Sequence, residues 1–187
     1  MRVIAGQCKG KVLYSPKSKL IRPTSDRVKE DIFNYISDSV VGARVLDLFA
    51  GTANLSIEAL SRGADSAVLV DWSKEAIKLI DRNLEITRFK NKCQVVRSDI
   101  TRFLNYAERE EHKYGLIFAD PPYSGADAFY QKLIQKIDSG SILVAGGLFV
   151  FEHDSKVKLD LELSSLKIKT TKILGDTAIT IFFQREA

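Results

Sequence analysis

Val45-Leu46-Asp47-Leu48-Phe49-Ala50-Gly51 starts as an apolar run and ends in a loop with a carboxylate and a glycine; further along, Tyr114-Gly115-Leu116-Ile117-Phe118-Ala119 runs into Asp120-Pro121-Pro122-Tyr123. Short apolar runs bounded by turn formers read as buried strands. Strand-like and helix-like segments alternate around them. Strands are expected at 44–49, 66–70, 94–97, 114–119 and 142–152, the last apolar enough to be central and covered on both faces. Helices are expected at 54–62, from Ser73 with Ala76, Ile77, Ile80 and Leu84 buried, over Ile100, Phe103, Leu104 and Ala107, and over Phe129, Leu133, Ile134 and Ile137. Repeated β-α order predicts an α/β doubly wound, mostly parallel sheet. Runs at 167–174 and 177–184 flank Gly175-Asp176, a tight-turn signal, so the sheet should finish with an antiparallel pair.

Ahead of this core, Val28, Ile32, Phe33 and Ile36 share one helical face after Pro23, with Thr24, Ser25 and Asp26 as N-cap candidates. Residues 1–25 carry Arg2, Lys9, Lys11, Lys17, Lys19 and Arg22 and no acid, so of the net charge of +4 this segment holds +6 and the remainder −2. The charges alternate with Val3, Ile4, Val12, Leu13, Leu20 and Ile21, as in short strands joined by a turn at Gly6-Gln7-Cys8-Lys9-Gly10. The reading is a basic β-hairpin extension at 1–23 and one globular domain at 24–187. A cationic edge on a nearly neutral body suits a phosphate backbone.

The chain has 187 residues, 45% of them hydrophobic, enough for one domain with a single core. No signal peptide or membrane span is read, and a cytoplasmic protein is expected. Cys8 and Cys93 are too far apart to suggest a disulfide framework or a zinc site, and no metal is expected. His112 reads as a solvated residue; His153, at the fifth strand tip, as touching either RNA or the local loop.

Ligands of open α/β sheets bind beyond the carboxyl ends of the strands. Acids recur there: Asp47 on the first strand, Asp71 at the end of the second, Asp99 past the third and Asp120 at the end of the fourth. A pyrophosphate-binding loop would need more glycine than Gly51-Thr52-Ala53-Asn54 contains, and Asp47 would repel phosphate. A cofactor with a cationic amino-acid end fits better, and S-adenosylmethionine has that character. Asp71 would then accept ribose hydroxyls, Trp72 cover the adenine and Asp99 bond its amine; the plainer alternatives are a cap shared with Ser73, core packing and a cap of the next helix. At the second loop, the Asp120 carboxylate and the Pro121 carbonyl would accept both hydrogens of an exocyclic amine and free its lone pair, Pro121 and Pro122 would hold the loop rigid, and Tyr123 would stack on an extruded base.

Nearly the whole chain resembles the RsmD-like methyltransferases, which methylate the N2 amine of a guanine in bacterial 16S ribosomal RNA. The resemblance rests on Arg2-Val3-Ile4-Ala5-Gly6 with Lys9-Gly10, Arg22-Pro23-Thr24-Ser25-Asp26-Arg27-Val28-Lys29-Glu30, Phe33-Asn34, Asp47 to Gly51, Glu58 to Ala64, Asn83-Leu84 and Asp120 to Tyr123. It implies the class I methyltransferase fold and S-adenosylmethionine, bordered by Thr24, Arg27, Asp47, Phe49, Ala50, Gly51, Asp71, Trp72, Asp99 and Ile100. It also implies 16S rRNA as partner, within a small-subunit particle and held in part by Arg2, Lys9, Lys11, Arg22 and Tyr123. A monomer is expected. Arg27 has an alternative role in an i, i+4 bridge to Asp31. Ala53 and Ser56 stand where the family usually has glycine, and Asp71 where it has glutamate; a Cβ at Ala53 is costly if the position needs a positive φ. Two other readings stay open: an adenine-N6 DNA or RNA methyltransferase, and a nucleic-acid-binding protein with a degenerate cofactor loop. A nicotinamide dehydrogenase lacks its glycine fingerprint.

Overall fold

The structure is a computed structural model that describes residues 1–15, 26–122, 127–159 and 161–186. Chain order is α1 (Asp26–Tyr35), β1 (Arg44–Leu48), α2 (Asn54–Ser61), β2 (Ser66–Asp71), α3 (Lys74–Thr87), β3 (Cys93–Arg97), α4 (Ile100–Arg109), β4 (Tyr114–Ala119), α5 (Asp127–Ser139), β5 (Leu143–Asp154), β6 (Leu166–Leu174) and β7 (Thr177–Gln184). The seven strands order as β3-β2-β1-β4-β5-β7-β6. β1 to β5 pair in parallel, and β7 lies antiparallel between β5 and β6. The doubly wound sheet closed by an antiparallel hairpin is thus the architecture read from the sequence, and its turn holds Gly175 at φ +67°.

Successive strand residues point to opposite faces, so register sorts the core into two layers. One face, with Val45, Leu69, Phe118, Val150 and Ile181, packs against Phe33 of α1, Ile57 of α2 and Ile80 of α3. The other, with Leu46, Val70, Ile117, Phe149 and Phe182, packs against Phe103 of α4 and Ile134 of α5. α3 starts where Ser73 accepts a bond from Ala76 N, and α4 where Asp99 accepts one from Arg102 N.

Two elements differ from expectation. In α5 Tyr130 is buried while Phe129 is 38% exposed. The first turn of the helix sends Phe129 toward Phe49 in the loop after β1, ring centroids 6.0 Å apart. β5 is not covered along its whole length: residues 144–146 are exposed, and the pairing with β4 shifts register between Tyr114 and Leu116. Gly146 sits there at φ +72°, and a Cβ on Gly147 would come within 2.8 Å of the Val144 carbonyl.

The described part of the amino-terminal arm folds back on itself, with Val3 N donating to Lys11 O at 2.9 Å and Gly10 N to Val3 O at 2.8 Å, but among the described residues it forms one isolated bridge, Arg2 with Val12, not two regular strands. Its backbone is also bonded to the body. Ile4 N and Ala5 N donate to the Glu58 carboxylate at 2.8 and 3.0 Å, Gln7 N donates to Ser61 O at 2.9 Å, and Cys8 N donates to Ser61 Oγ at 3.0 Å. Gly6 (φ +79°) lies so close to α2 that a Cβ would overlap the Ser61 carbonyl oxygen at 1.8 Å. Val3 and Leu13 are buried in the α1–α3 core layer. Lys17, Lys19, Arg22, Thr24, Ser25 and Tyr123, for which roles are expected from the sequence, lie outside the described residues.

Beneath the arm is a buried ion pair that periodicity did not suggest. Lys29 Nζ lies 3.2 Å from Glu58 Oε2, both side chains fully buried, and also donates to Asn54 Oδ1 at 2.8 Å and to the Arg2 carbonyl at 2.5 Å. Arg62 Nε reaches Glu58 Oε1 at 2.8 Å. Burial pulls the Lys29 pKa down, against the opposing pull of Glu58.

Glu58 serves four donors and Lys29 three acceptors, and removing one member of a buried pair costs more than the pair itself contributes. Glu58→Leu and Lys29→Met are each expected to lose about 3–5 kcal/mol in urea unfolding; a loss below about 1 kcal/mol from either would contradict this role for the pair. At Ala53, which precedes α2 with φ 63° and ψ 24°, the left-handed backbone costs an alanine about 1 kcal/mol, while its fully buried methyl contributes about 0.8 kcal/mol. Ala53→Gly should therefore change stability by less than about 1 kcal/mol in the same assay.

Candidate functional site at the strand tips

The loop after β1 winds through three left-handed residues, Phe49 (φ 64°), Gly51 (φ 55°) and Ala53 (φ 63°). It is held from several sides. Ala50 N donates to Val70 O at 3.0 Å, Gly51 N to Asp71 Oδ2 at 2.9 Å and Ala53 N to Ala50 O at 2.7 Å. Buried Asn83 on α3 donates to Thr52 O at 2.9 Å and to Tyr14 O at 3.1 Å, and accepts from Tyr14 N at 2.7 Å, tying the loop to the arm. Among the described residues a Cβ on Gly51 would meet nothing nearer than Phe49 O at 3.8 Å, which leaves room beside the loop on their side. Ala50 is buried, and Phe49 is half-buried against Phe129.

Asp71 caps and also faces the site. Its Oδ1 accepts from Ser73 N at 2.8 Å while Oδ2 holds Gly51 N. A carboxylate has about four acceptor positions, so capacity for hydroxyl donors remains. Trp72 is not packed in the core: it is 70% exposed beside the site, and its carbonyl accepts from Arg97 Nε at 3.2 Å. Asp99, exposed, caps α4 through Arg102 N at 3.0 Å. The Ile100 side chain belongs to the α4–α5 core layer, which leaves its backbone as the part that can face a ligand. Arg27 is exposed on α1, and the bridge considered for it does not form, because Asp31 pairs with Lys172 Nζ at 2.7 Å.

Register aligns the remaining acids. Asp47 stands opposite Leu69 and Phe118, on the face that meets α1–α3, and Asp71, Asp120 and Glu152 follow two residues later on the neighbouring strands. Asp47 is buried and accepts from Ser56 Oγ at 2.5 Å. Burial pushes its pKa up to about 7, opposed by the bonds from Ser56 and assisted by the Asp71 charge. Asp120 is half-buried; burial, then the charges of Glu152 and Asp47, raise its pKa well above the carboxylate range. Pro121 is buried and Pro122 exposed, its carbonyl accepting from Tyr130 OH at 3.5 Å.

Buried Glu152 had no assigned role from the sequence. The signal for it was an acid at the tip of the strand predicted to be central. His153 beside it is structural: its ring nitrogens lie 2.9 Å from Thr180 Oγ1 and 2.9 Å from the Asp154 carbonyl, it stacks on Phe151, and burial lowers its pKa. His112 is half-buried, edge-on to Tyr106 and Tyr114, rather than solvated.

Among the cations expected to contact RNA, Lys9 and Lys11 lie away from the strand tips. Arg2 pairs with Asp26 at 3.2 Å, and Lys9 and Lys11 are exposed on the arm's turn, by the carboxyl-terminal ends of α2 and α3. Among the described residues no group of acids, histidines and cysteines could hold a metal ion, and no helix is long and apolar enough to cross a membrane.

The chain resembles known proteins over its whole length. It is 38% identical over 185 residues to "Putative rRNA methyltransferase YlbH" of Bacillus subtilis, covering 99% of this chain and 100% of the relative. It is 30% identical over 187 residues to "Ribosomal RNA small subunit methyltransferase D" of Escherichia coli, covering 100% and 91%. The solved structure of "Putative methyltransferase yhhF from Escherichia coli" superposes with a TM-score of 0.88 at 27% identity, over 100% of this chain and 99% of that one. This is the class I methyltransferase fold. The family model described as "Conserved hypothetical protein 95" matches residues 1–183, and the chain belongs to that family, the RsmD family.

Proposed function

We propose that this chain methylates the exocyclic N2 amine of a guanine in 16S ribosomal RNA, acting in the cytoplasm as a monomer on a small-subunit particle, with S-adenosylmethionine as donor. Membership of the family and its rRNA methyltransferase relatives support the reaction class. The observation that carries the site assignment is the row of carboxylates at the strand tips, which lies on the side where class I sheets take their ligands.

The residues present fit the cofactor. Asp47, Asp71 and Asp120 stand on neighbouring strands on one face of the sheet, and burial makes Asp47 and Asp120 hard to ionise without a nearby cation. The loop leaves room beside Gly51, and Trp72 offers an exposed aromatic face. S-adenosylmethionine supplies an electrophilic methyl on a sulfonium and brings a charged ammonium. Asp47 and the loop around Gly51 would hold its amino-acid end, Asp71 its ribose, and Trp72 and Asp99 its adenine, with Thr24 and Arg27 bordering the methionine.

For the acceptor, the Asp120 carboxylate and the Pro121 carbonyl take the two amine hydrogens and localise the nitrogen lone pair, while Tyr123 stacks on the ring. No strong base is needed, because the proton leaves after the methyl arrives. A guanine edge offers two adjacent donors, the amine and the ring N–H, which suits acceptor-only groups. Arg2, Lys9, Lys11 and Arg22 would bind the RNA backbone.

With tritiated cofactor and small-subunit particles, label is expected in N2-methylguanosine; label in N6-methyladenine would replace guanine by adenine in this reading. Asp120→Ala should lower kcat by about 100-fold or more while cofactor affinity changes only a few-fold. The pKa of Asp47 adds a pH test. A cation favours the ionised carboxylate, so below about 7 binding must expel a proton, and affinity weakens as pH falls. Calorimetric titration between pH ~5.5 and ~7, below the α-amino range of ~7.7, should find tighter cofactor binding at higher pH, with proton release. Asp47→Asn should bind more weakly and with a flatter pH dependence; an equally steep profile would remove Asp47 from this role.

A further inference from the structure

Between the arm's turn and the far end of α3 lies a hollow of about 440 Å³, lined by Lys9, Lys11 and Arg88 together with Cys8 and Thr87 and without a carboxylate among the described residues. All three cations are exposed, and no ion pair engages them among the described residues. We propose that this hollow is a second RNA contact, a seat for a backbone phosphate remote from the base that is methylated. The inference rests on the RNA reading above and extends it.

Several observations point the same way. A helix carboxyl terminus ordinarily repels anions through its open carbonyls, but three of the last four in α3 are occupied. Leu84 O accepts from Phe89 N at 3.0 Å, Glu85 O from Arg88 N at 3.1 Å, and Thr87 O from Cys8 Sγ at 3.5 Å. The charged groups in the lining are all cationic. Arg88 itself has φ 62°, a left-handed C-cap where glycine or asparagine is the low-strain choice, so the chain retains a long cation at a position that disfavours it. The cradle is preformed. The close approach of Gly6 to Ser61 and the bond from Gln7 Nε2 to Leu60 O at 3.2 Å fix the turn that carries Lys9 and Lys11.

Position sets the length of the footprint. α3 begins beside Asp71 at the strand tips and runs back for 14 residues, about 21 Å at 1.5 Å per residue. The hollow therefore lies at the opposite rim of the sheet from the transfer site. It can engage only RNA that continues along the α2–α3 flank, which a single flipped nucleotide cannot do.

The test uses the full chain and transcribed small-subunit ribosomal RNA, with affinity measured against salt concentration. Arg88→Ala is expected to weaken RNA binding several-fold at about 150 mM salt and to reduce the slope of log K against log salt by about one; Lys9→Ala with Lys11→Ala should reduce it by one to two. Arg88→Lys should restore most of the affinity. In methyl transfer, KM for RNA should rise with kcat and cofactor binding unchanged. Lys167→Ala with Lys169→Ala, the same charge change on β6 at the other edge of the sheet, should leave the slope as in the parent. If the hollow variants match this control, the proposed seat is wrong while the transfer-site reading stands. If the parent protein itself neither binds nor methylates the RNA, the underlying reading fails.

Discussion

The buried Glu58 carboxylate is the constraint on which the arrangement depends. A carboxylate removed from water is tolerated only when its lone pairs are filled, and here Lys29, Arg62 and the backbone N–H groups of Ile4 and Ala5 fill them. The requirement runs both ways. The arm's limbs bond to each other, Val3 N to Lys11 O and Gly10 N to Val3 O, and the N–H groups of Ile4 and Ala5 complete their bonding on α2. α1, through Lys29, is drawn to the same point. Three segments far apart in sequence thus meet at one charge.

α2 passes this order on to the site. All eight of its residues are buried, and its polar side chains point in several directions. Asn54 and Glu58 hold Lys29, Ser61 holds the arm's turn, and Ser56 bonds Asp47 on β1. A helix buried all round cannot rotate to suit one partner without losing the others, so the position of Asp47 is coupled to that of the arm through a rigid body.

The β-α alternation was legible because strand and helix periods are strong signals: β4 spans Tyr114–Ala119 as read, and Ile100, Phe103, Leu104 and Ala107 are the buried face of α4. The strand-tip acids were legible because fold class alone says where ligands lie. Lys29 was not, since a lysine in an amphipathic helix reads as surface, and only the long-range meeting with Glu58 reverses that. Glu152 was overlooked because its significance comes from Asp120 on the adjacent strand, a pairing set by sheet order. Phe129 and Tyr130 exchanged places because neighbouring helix residues are about 100° apart, so a small error in phase swaps which of two adjacent aromatics is buried.

The two departures in the loop have a common physical explanation. Glycine is favoured in such loops because it takes left-handed conformations freely and leaves space. Ala53 adopts the left-handed conformation all the same, and its methyl fills the core between the loop and α2, recovering by burial much of what the backbone loses. The Ser56 hydroxyl is turned onto Asp47, where its bond at 2.5 Å opposes part of the rise that burial imposes on that carboxyl's pKa. The loop keeps its shape with one glycine because neighbouring side chains, Asp71 and Asn83 above all, supply the restraint.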